Sequence, residues 1–447
     1  MARILLVNPS QQKDVLTTVN CLRFPPLNLQ ILRQITDKKY GVEIVDENDS
    51  EGKLSYDFDL VGITAMTSTA PRAYEISRKF IERGIPTILG GIHPTMMPEE
   101  ASRFATSVVK GEAEMVWPEV IKDFERENLK PVYEGGLIDA YQIPVITDRL
   151  KGRFFIKKTI QSARGCPMNC DFCSVTSFNG RKYRSRNLGD VLKELESIDT
   201  DKIFFVDDNI FGYGNAAEQR AINLFRAMVE RGLSIKWASQ ASLNVADSDE
   251  ALYWAAKSGA KGFFIGFESL NPEVLKKMGK AINLRTHTNN YKSKIKRIQD
   301  YGIAVVGGFI LGNDDDTKET FDLTTDFVLD SGIDATQFTI LTPLPGTRLF
   351  KRICNEGRML YSDFPTDWKY FDTFHVVFQP RNFEPKSLEY QVLKMYEKTG
   401  NLTRCLERMF GTLTRTRDID TTLGAGMLNY GYYKGVKRIV ERQDERK

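Results

Sequence analysis

Two series of short apolar runs, each run followed by an amphipathic stretch, leave few folds open to this chain. In the first series the runs are ILLVN (residues 4–8), VEIVD (42–46), DLVGIT (59–64), PTILGG (86–91) and SVVKGE (107–112). Helical spacing fills residues 27–38, 70–83 and 115–124. Strands alternating with helices select a parallel sheet covered on both faces. The ligand crevice of such a sheet lies outside the C-terminal strand ends.

Residues 126–155 lose the period and contain Pro131, Pro144 and two adjacent glycines, so a crossing between domains is expected there. The second series then runs through TIQSAR, KIFFVDD, IKWASQA, GFFIGFE, VVGGFIL and QFTILTP, with helical stretches at 188–198, 218–230 and 250–258. Six βα units suit a partial or open (β/α)6 barrel better than a closed eight-fold one. The expected fold class is α/β. A doubly wound, Rossmann-like domain occupies residues 1–135, a linker 136–155, the partial barrel 156–350, and a mostly helical or irregular extension 351–447, with a helix near 387–398.

With 447 residues, 41% hydrophobic and 27% charged, the chain has material for several buried cores and an ordinary soluble composition. A net charge of +3 with mixed signs calls for no nucleic acid. No run of about 18 apolar residues offers a membrane span. The N-terminus reads as a first strand and not as a signal peptide. Six cysteines are few for this length, and three of them crowd together, which is no disulfide framework. A reducing cytoplasm is the expected compartment.

The crowded cysteines are Cys166, Cys170 and Cys173 in QSARGCPMNCDFCSV, a C-x3-C-x2-C spacing at the end of the second series' first strand. Three thiolates can bind three irons of a cubane and leave the fourth iron open for a small molecule. Structural zinc is the alternative, but it generally takes four protein ligands, and the next histidine is the distant His287. An inert group of buried thiols is the third reading.

With Phe172 just before its last cysteine, this segment resembles the radical S-adenosylmethionine (SAM) superfamily. The resemblance implies a [4Fe–4S] cluster on the three cysteines, SAM chelated at the open iron, and Phe172 beside the adenine. It implies further SAM contacts at later strand ends: Asp207 in FFVDDN, Glu268 and Ser269 in GFES, and Gly308, Ile310 and Gly312 in GGFILGNDDD. The last segment resembles a G-x-I-x-G-x-x-E motif whose final acid would be Asp315. Each acid alone could equally be a helix cap.

In the first series, ITAMTSTAPRAYEIS, GGIHPTMMPEEA and VVKGEAE resemble the cobalamin-binding domain of a large radical SAM subfamily. By that resemblance Thr64, Met66, Thr67 and Ser68, then Gly90, Gly91 and His93, then Gly111 and Glu112 line the corrin and its nucleotide tail. Glycines allow close backbone approach to a flat ligand. The D-x-H-x-x-G motif that supplies a cobalt ligand elsewhere is absent, since VDENDSEG holds no histidine. A non-ligating residue such as Met66 is then expected beneath cobalt. His93 reads as a nucleotide-tail contact or a packing residue before a metal ligand.

Cys21, Cys354 and Cys405 are expected as small buried apolar residues. The C-terminal stretch GMLNYGYYKGVKRIVERQDERK reads first as a solvated amphipathic helix, with peripheral contact to an anionic or lipid-like surface as the alternative. The resemblance as a whole implies a cobalamin-dependent radical SAM methyltransferase. It would methylate an unactivated carbon of a small-molecule or lipid-like substrate, using a 5′-deoxyadenosyl radical, methylcobalamin and a low-potential electron donor of flavodoxin or ferredoxin type. A radical cyclisation or rearrangement without methyl transfer is the second reading, and a cobalamin-binding sensor or regulator the third.

Overall fold

The computed structural model describes residues 2–10, 23–49, 54–150 and 155–444. Cys21 and residues 151–154 of the expected linker lie outside the described residues.

The first series folds as β1 (Arg3–Asn8), β2 (Gly41–Asp46), β3 (Leu60–Thr64), β4 (Thr87–Gly90) and β5 (Ser107–Gly111), and a sixth strand β6 (Val132–Gly136) joins them. All pair in parallel, in the order β2-β1-β3-β4-β5-β6. Helices Leu27–Ile35, Ala70–Ile81 and Trp117–Glu125 cover the two faces. Buried Leu5, Val61 and Leu89 point to one face, and Ile4, Leu60 and Trp117 fill the other. Such two-sided burial explains why these strands read as continuous apolar runs.

β6 adds a strand within residues 126–155, where the sequence shows no clear period. The register slips between Lys110 and Gly111, and the two chains run so close there that a side chain at Gly135 would collide with the Glu112 carbonyl. The adjacent glycines Gly135 and Gly136 are a close-packing device, although they read as a break in the sequence.

The second series folds as β7 (Lys158–Ile160), a short β8 (Ala163–Arg164) and β9 (Arg184–Ser185) pair, then β10 (Lys202–Phe205), β11 (Lys236–Ala241), β12 (Ala260–Glu268), β13 (Ala304–Leu311) and β14 (Ala335–Ile340). Its sheet is parallel and open, in the order β14-β13-β12-β11-β10-β7. The interior is packed by Phe205, Trp237, Phe263, Phe267, Phe309 and Phe338.

The C-terminal extension braces both halves. Trp368, Phe371 and Val377 join the core of the first sheet. Helices Pro385–Gly400 and Ile419–Asp444 bury Leu388, Tyr396 and Tyr432 against the second. The Tyr396 hydroxyl donates to the Phe338 carbonyl at 2.8 Å and accepts from the Phe338 N–H at 2.7 Å, so it closes a gap in the outer edge of β14. Among the described residues no helix is long and apolar enough to cross a membrane.

Candidate functional site

The C-terminal ends of β3, β4 and β5 meet the segment around β8 across a cavity of about 450 Å³. Thr64, Met66, Gly90, Gly91, Gly111 and Glu112 line it from the first sheet. Arg164, Phe178, Asn179 and Val206 line it from the second half. Gly91 adopts φ +97°, and a Cβ there would sit 2.8 Å from Thr64 Oγ1 and 2.9 Å from the Ala65 carbonyl. Only a residue without a side chain gives that turn and keeps the wall flat. Met66 is 57% exposed, which is unusual for a large apolar side chain and leaves it free to face a flat ligand.

Three residues expected at this wall are elsewhere. His93 is fully buried, with Nε2 3.1 Å from the Tyr74 hydroxyl and 3.3 Å from Glu100 Oε1, and Nδ1 3.4 Å from Thr67 Oγ1. Trp368 donates to the same Glu100 at 3.0 Å. Burial works against the Glu100 charge, yet the His93, Trp368 and Tyr74 hydrogen bonds hold its carboxyl below the ordinary value. His93 and Thr67 thus belong to a polar seam joining the first domain to the extension, and Ser68 lies outside the cavity lining. The histidine follows Gly91 on the helix Ile92–Met96, whose inner face turns it into the core.

On the other side, the three cysteines follow β8. Asp208 accepts from the Gly165 N–H at 2.9 Å and from Asn179 Nδ2 at 2.9 Å, which fixes the start of the loop. Gly165 itself has φ +85°. Burial pushes the Cys170 thiol up to about 12 and raises Cys166 and Cys173 as well, while the Lys280 ammonium pulls all three back. Thiolates in such a place need neighbouring positive charge, which iron supplies. Among the described residues no three His, Cys, Asp or Glu side chains converge as they would on one ion. A cubane takes one thiolate per iron and keeps them apart, so the donor set fits a three-cysteine cluster better than zinc.

Lys280 was not legible from the sequence. Its Nζ lies 2.5 Å from Glu268 Oε1, in a pocket that a side chain at Gly266 would fill. Burial disfavours the Lys280 charge, but Glu268 and the thiols overcome this and raise its pKa. Glu268 sits at φ +63°, a strained setting for a residue with a Cβ. The strain, the missing side chain and the buried charge meet beside the cysteines. Phe172 and Ile310, far apart in sequence, pack into one apolar cluster with Met278 and Leu341.

Other expectations are corrected. Asp207 is fully buried, and both its oxygens accept from Ser162, one from its N–H at 2.6 Å and one from its hydroxyl. Burial lifts its pKa to about 6, with Arg220 opposing. It braces the β7–β8 turn. The acid that closes the Gly312 turn is Asp316, which accepts from the Gly312 and Asn313 N–H groups at 2.9 Å each. Asp315 instead pairs with Lys277 on the surface. Ser269 is buried and its hydroxyl accepts from the Asn271 N–H at 3.1 Å. Gly308 packs against the Phe264 ring. Cys405 is buried as expected, but Cys354 is exposed, because its helix turns Leu349 and Ile353 inward.

A buried ion-pair network joins the two walls. Glu112 accepts from both Arg184 nitrogens and from the Ile138 N–H, and Arg164 reaches Glu112 at 3.4 Å and Glu114 at 2.5 Å. Burial opposes the Glu112 charge, while Arg184 and Arg164 hold its carboxyl below the ordinary value. Arg164 is two residues before Cys166, and Glu112 follows Gly111, so one network sets both loops.

Comparison with known proteins agrees with this division. Residues 22–121 match the B12 binding domain family, and residues 160–328 match the Radical SAM superfamily. The chain is 31% identical to bacteriochlorophyllide d C-12(1)-methyltransferase of Chlorobaculum tepidum, over 91% of this chain and 89% of that protein. It is 28% identical to bacteriochlorophyllide d C-8(2)-methyltransferase of the same organism, over 82% and 84%. Its fold matches the radical S-adenosylmethionine methyltransferase TsrM from Kitasatospora setae, a structure with cobalamin and a [4Fe–4S] cluster bound. The TM-score is 0.69 at 17% identity, covering 99% of this chain and 100% of that one.

Proposed function

The chain belongs to the cobalamin-dependent radical SAM methyltransferases, and from that premise we propose that it methylates a peripheral alkyl carbon of a tetrapyrrole. Its cofactors are a [4Fe–4S] cluster, SAM and cobalamin. When bound, these supply an electron, a hydrogen-abstracting adenosyl group and a transferable methyl group.

The observation that carries this reading is the shared cavity, lined from one side by the strand ends of the first sheet and from the other by residues flanking the cysteine loop. Methyl donor and substrate carbon must come within reach of each other in one enclosed space. In our reading Cys166, Cys170 and Cys173 hold the cluster, and Glu268, oriented by Lys280, receives the SAM amino group. Phe172 and Ile310 pack the adenine. Thr64, Gly90, Gly91 and Gly111 present backbone to the corrin, with Met66 beneath it. The substrate class rests on the two relatives named for bacteriochlorophyllide d, each aligned over more than four-fifths of its length. A flavodoxin- or ferredoxin-type donor and a reducing cytoplasm complete the reading.

The test is anaerobic turnover with cobalamin, a strong reductant, methyl-deuterated SAM and a bacteriochlorophyllide. Labelled product should form with one S-adenosylhomocysteine and one 5′-deoxyadenosine per methyl group. Product of unchanged methyl content without S-adenosylhomocysteine would replace methyl transfer by a rearrangement. Methylation of other substrates but of no tetrapyrrole would remove the substrate assignment alone.

A further inference from the structure

The last two helices form a hairpin whose inner side is fully engaged. Helix Leu402–Thr416 turns at Arg417, in the left-handed region at φ +50°, into helix Ile419–Asp444. Inward, the Thr412 hydroxyl donates to Asp334 at 2.7 Å, Asn429 Nδ2 donates to the Asp334 carbonyl at 2.9 Å, and Asp418 pairs with Lys236 at 2.8 Å. Tyr432 and Val436 are buried in the main core. The hairpin is therefore held in one orientation.

Its outer side is apolar. Leu402, Leu406, Phe410 and Leu413 follow helical spacing on the first helix and are 65%, 56%, 71% and 40% exposed. Ile419 at the turn, then Leu423, Met427 and Tyr430, extend the stripe onto the second. Arg404, Lys434 and Lys437 are exposed on the same two helices, and Arg417 at the turn between them. Residues 402–447 carry ten Lys and Arg against six Asp and Glu, a net of +4, while the whole chain is only +3.

We propose that this face docks on an anionic membrane surface, with the apolar stripe entering the interface and the flanking cations meeting acidic headgroups. A monomeric soluble protein rarely leaves so continuous an apolar stripe uncovered. An apolar face rimmed by Lys and Arg, with tyrosine near the polar edge, is the pattern of helices that lie in the headgroup region. A second copy of this chain fits worse, because pairing the hairpin with itself brings two basic surfaces together. The face is separate from the cofactor cavity and its occupant does not depend on the substrate assignment.

The test is flotation of the full-length holoenzyme with phosphatidylcholine vesicles, with and without about one-third phosphatidylglycerol. Binding should require the anionic lipid and weaken with salt. Leu406→Asp with Phe410→Asp should lower partitioning about tenfold or more, given the apolar area withdrawn from the interface, while abortive SAM cleavage and circular dichroism stay unchanged. The salt response of the unaltered protein gives a second readout that does not depend on the variant folding. Absence of binding to either vesicle, binding indifferent to salt and to the variant, or a solution dimer that the variant splits into monomers would each overturn the proposal.

Discussion

The strand ends of the first sheet and the surroundings of the cysteine loop are made by opposite means. The strand ends of the first sheet turn on glycines, with Gly91 and Gly111 at positive φ beside the exposed Met66. The surroundings of the cysteine loop are built from side chains that carry charge or can lose a proton, among them Cys170, Lys280 and Glu268. In the proposed reading a broad planar ligand is received at glycines, whereas a cluster and a charged sulfonium are received by placed side chains. The first region is consequently sensitive to added bulk and the second to lost ligands.

The sharpest break of that contrast is at the ligands. Cys166→Ala, Cys170→Ala and Cys173→Ala together should abolish cluster assembly and 5′-deoxyadenosine formation, with cobalamin still bound. Iron analysis, electron paramagnetic resonance and the cobalamin absorption spectrum check both halves at once. Loss of cobalamin with the cluster would mean the two regions do not assemble independently.

The next effect is on the seam. Glu112→Ala leaves Arg184 buried without its carboxylate, so stability should fall by about 3–5 kcal/mol. Thermal unfolding measures this, and a negligible change would show that the network is solvated in solution. Bulk at the strand ends of the first sheet comes third. Gly91→Leu combines a collision at Thr64 with backbone strain of about 1–3 kcal/mol, so cobalamin affinity should fall about tenfold to a hundredfold. Cluster content and abortive SAM cleavage should persist, and S-adenosylhomocysteine formation at limiting cobalamin should fall in step.

The smallest effect on either cofactor belongs to His93→Ala. It removes a partner of Glu100 and Tyr74 and should cost about 1–3 kcal/mol of stability. The Co(II) spectrum should stay unchanged and free of nitrogen splitting from a protein histidine. A splitting lost on this substitution would move His93 from the seam to the metal.

Much of this contrast was legible in the chain. The C-x3-C-x2-C spacing is a local geometric requirement, so it survives without tertiary knowledge. Gly91 and Gly111 were legible because a glycine at a strand end is a backbone statement. Asp207 and Asp208 show the limit. Adjacent acids after one strand look alike in sequence, yet Asp207 turns inward to Ser162 while Asp208 secures Gly165 and Asn179. The same ambiguity exchanged Asp316 for Asp315, since a turn and not a spacing decides which carboxyl faces the Gly312 N–H.

The sequence by itself determined the two parallel sheets, because two-sided burial demands long apolar runs between amphipathic helices, and it pointed to the three cysteines proposed to hold the cluster, because three close cysteines have few other uses. Only the tertiary structure decided the partners that arrive from far away. Lys280 reaches Glu268 from the helix-rich segment after β12, Trp368 reaches Glu100 from the extension, and Arg184 reaches Glu112 across the domain seam. Each is a buried charge or polar group compensated by a residue distant in the chain. Such compensation depends on burial and direction, which arise when the sheets pack and which no local pattern encodes.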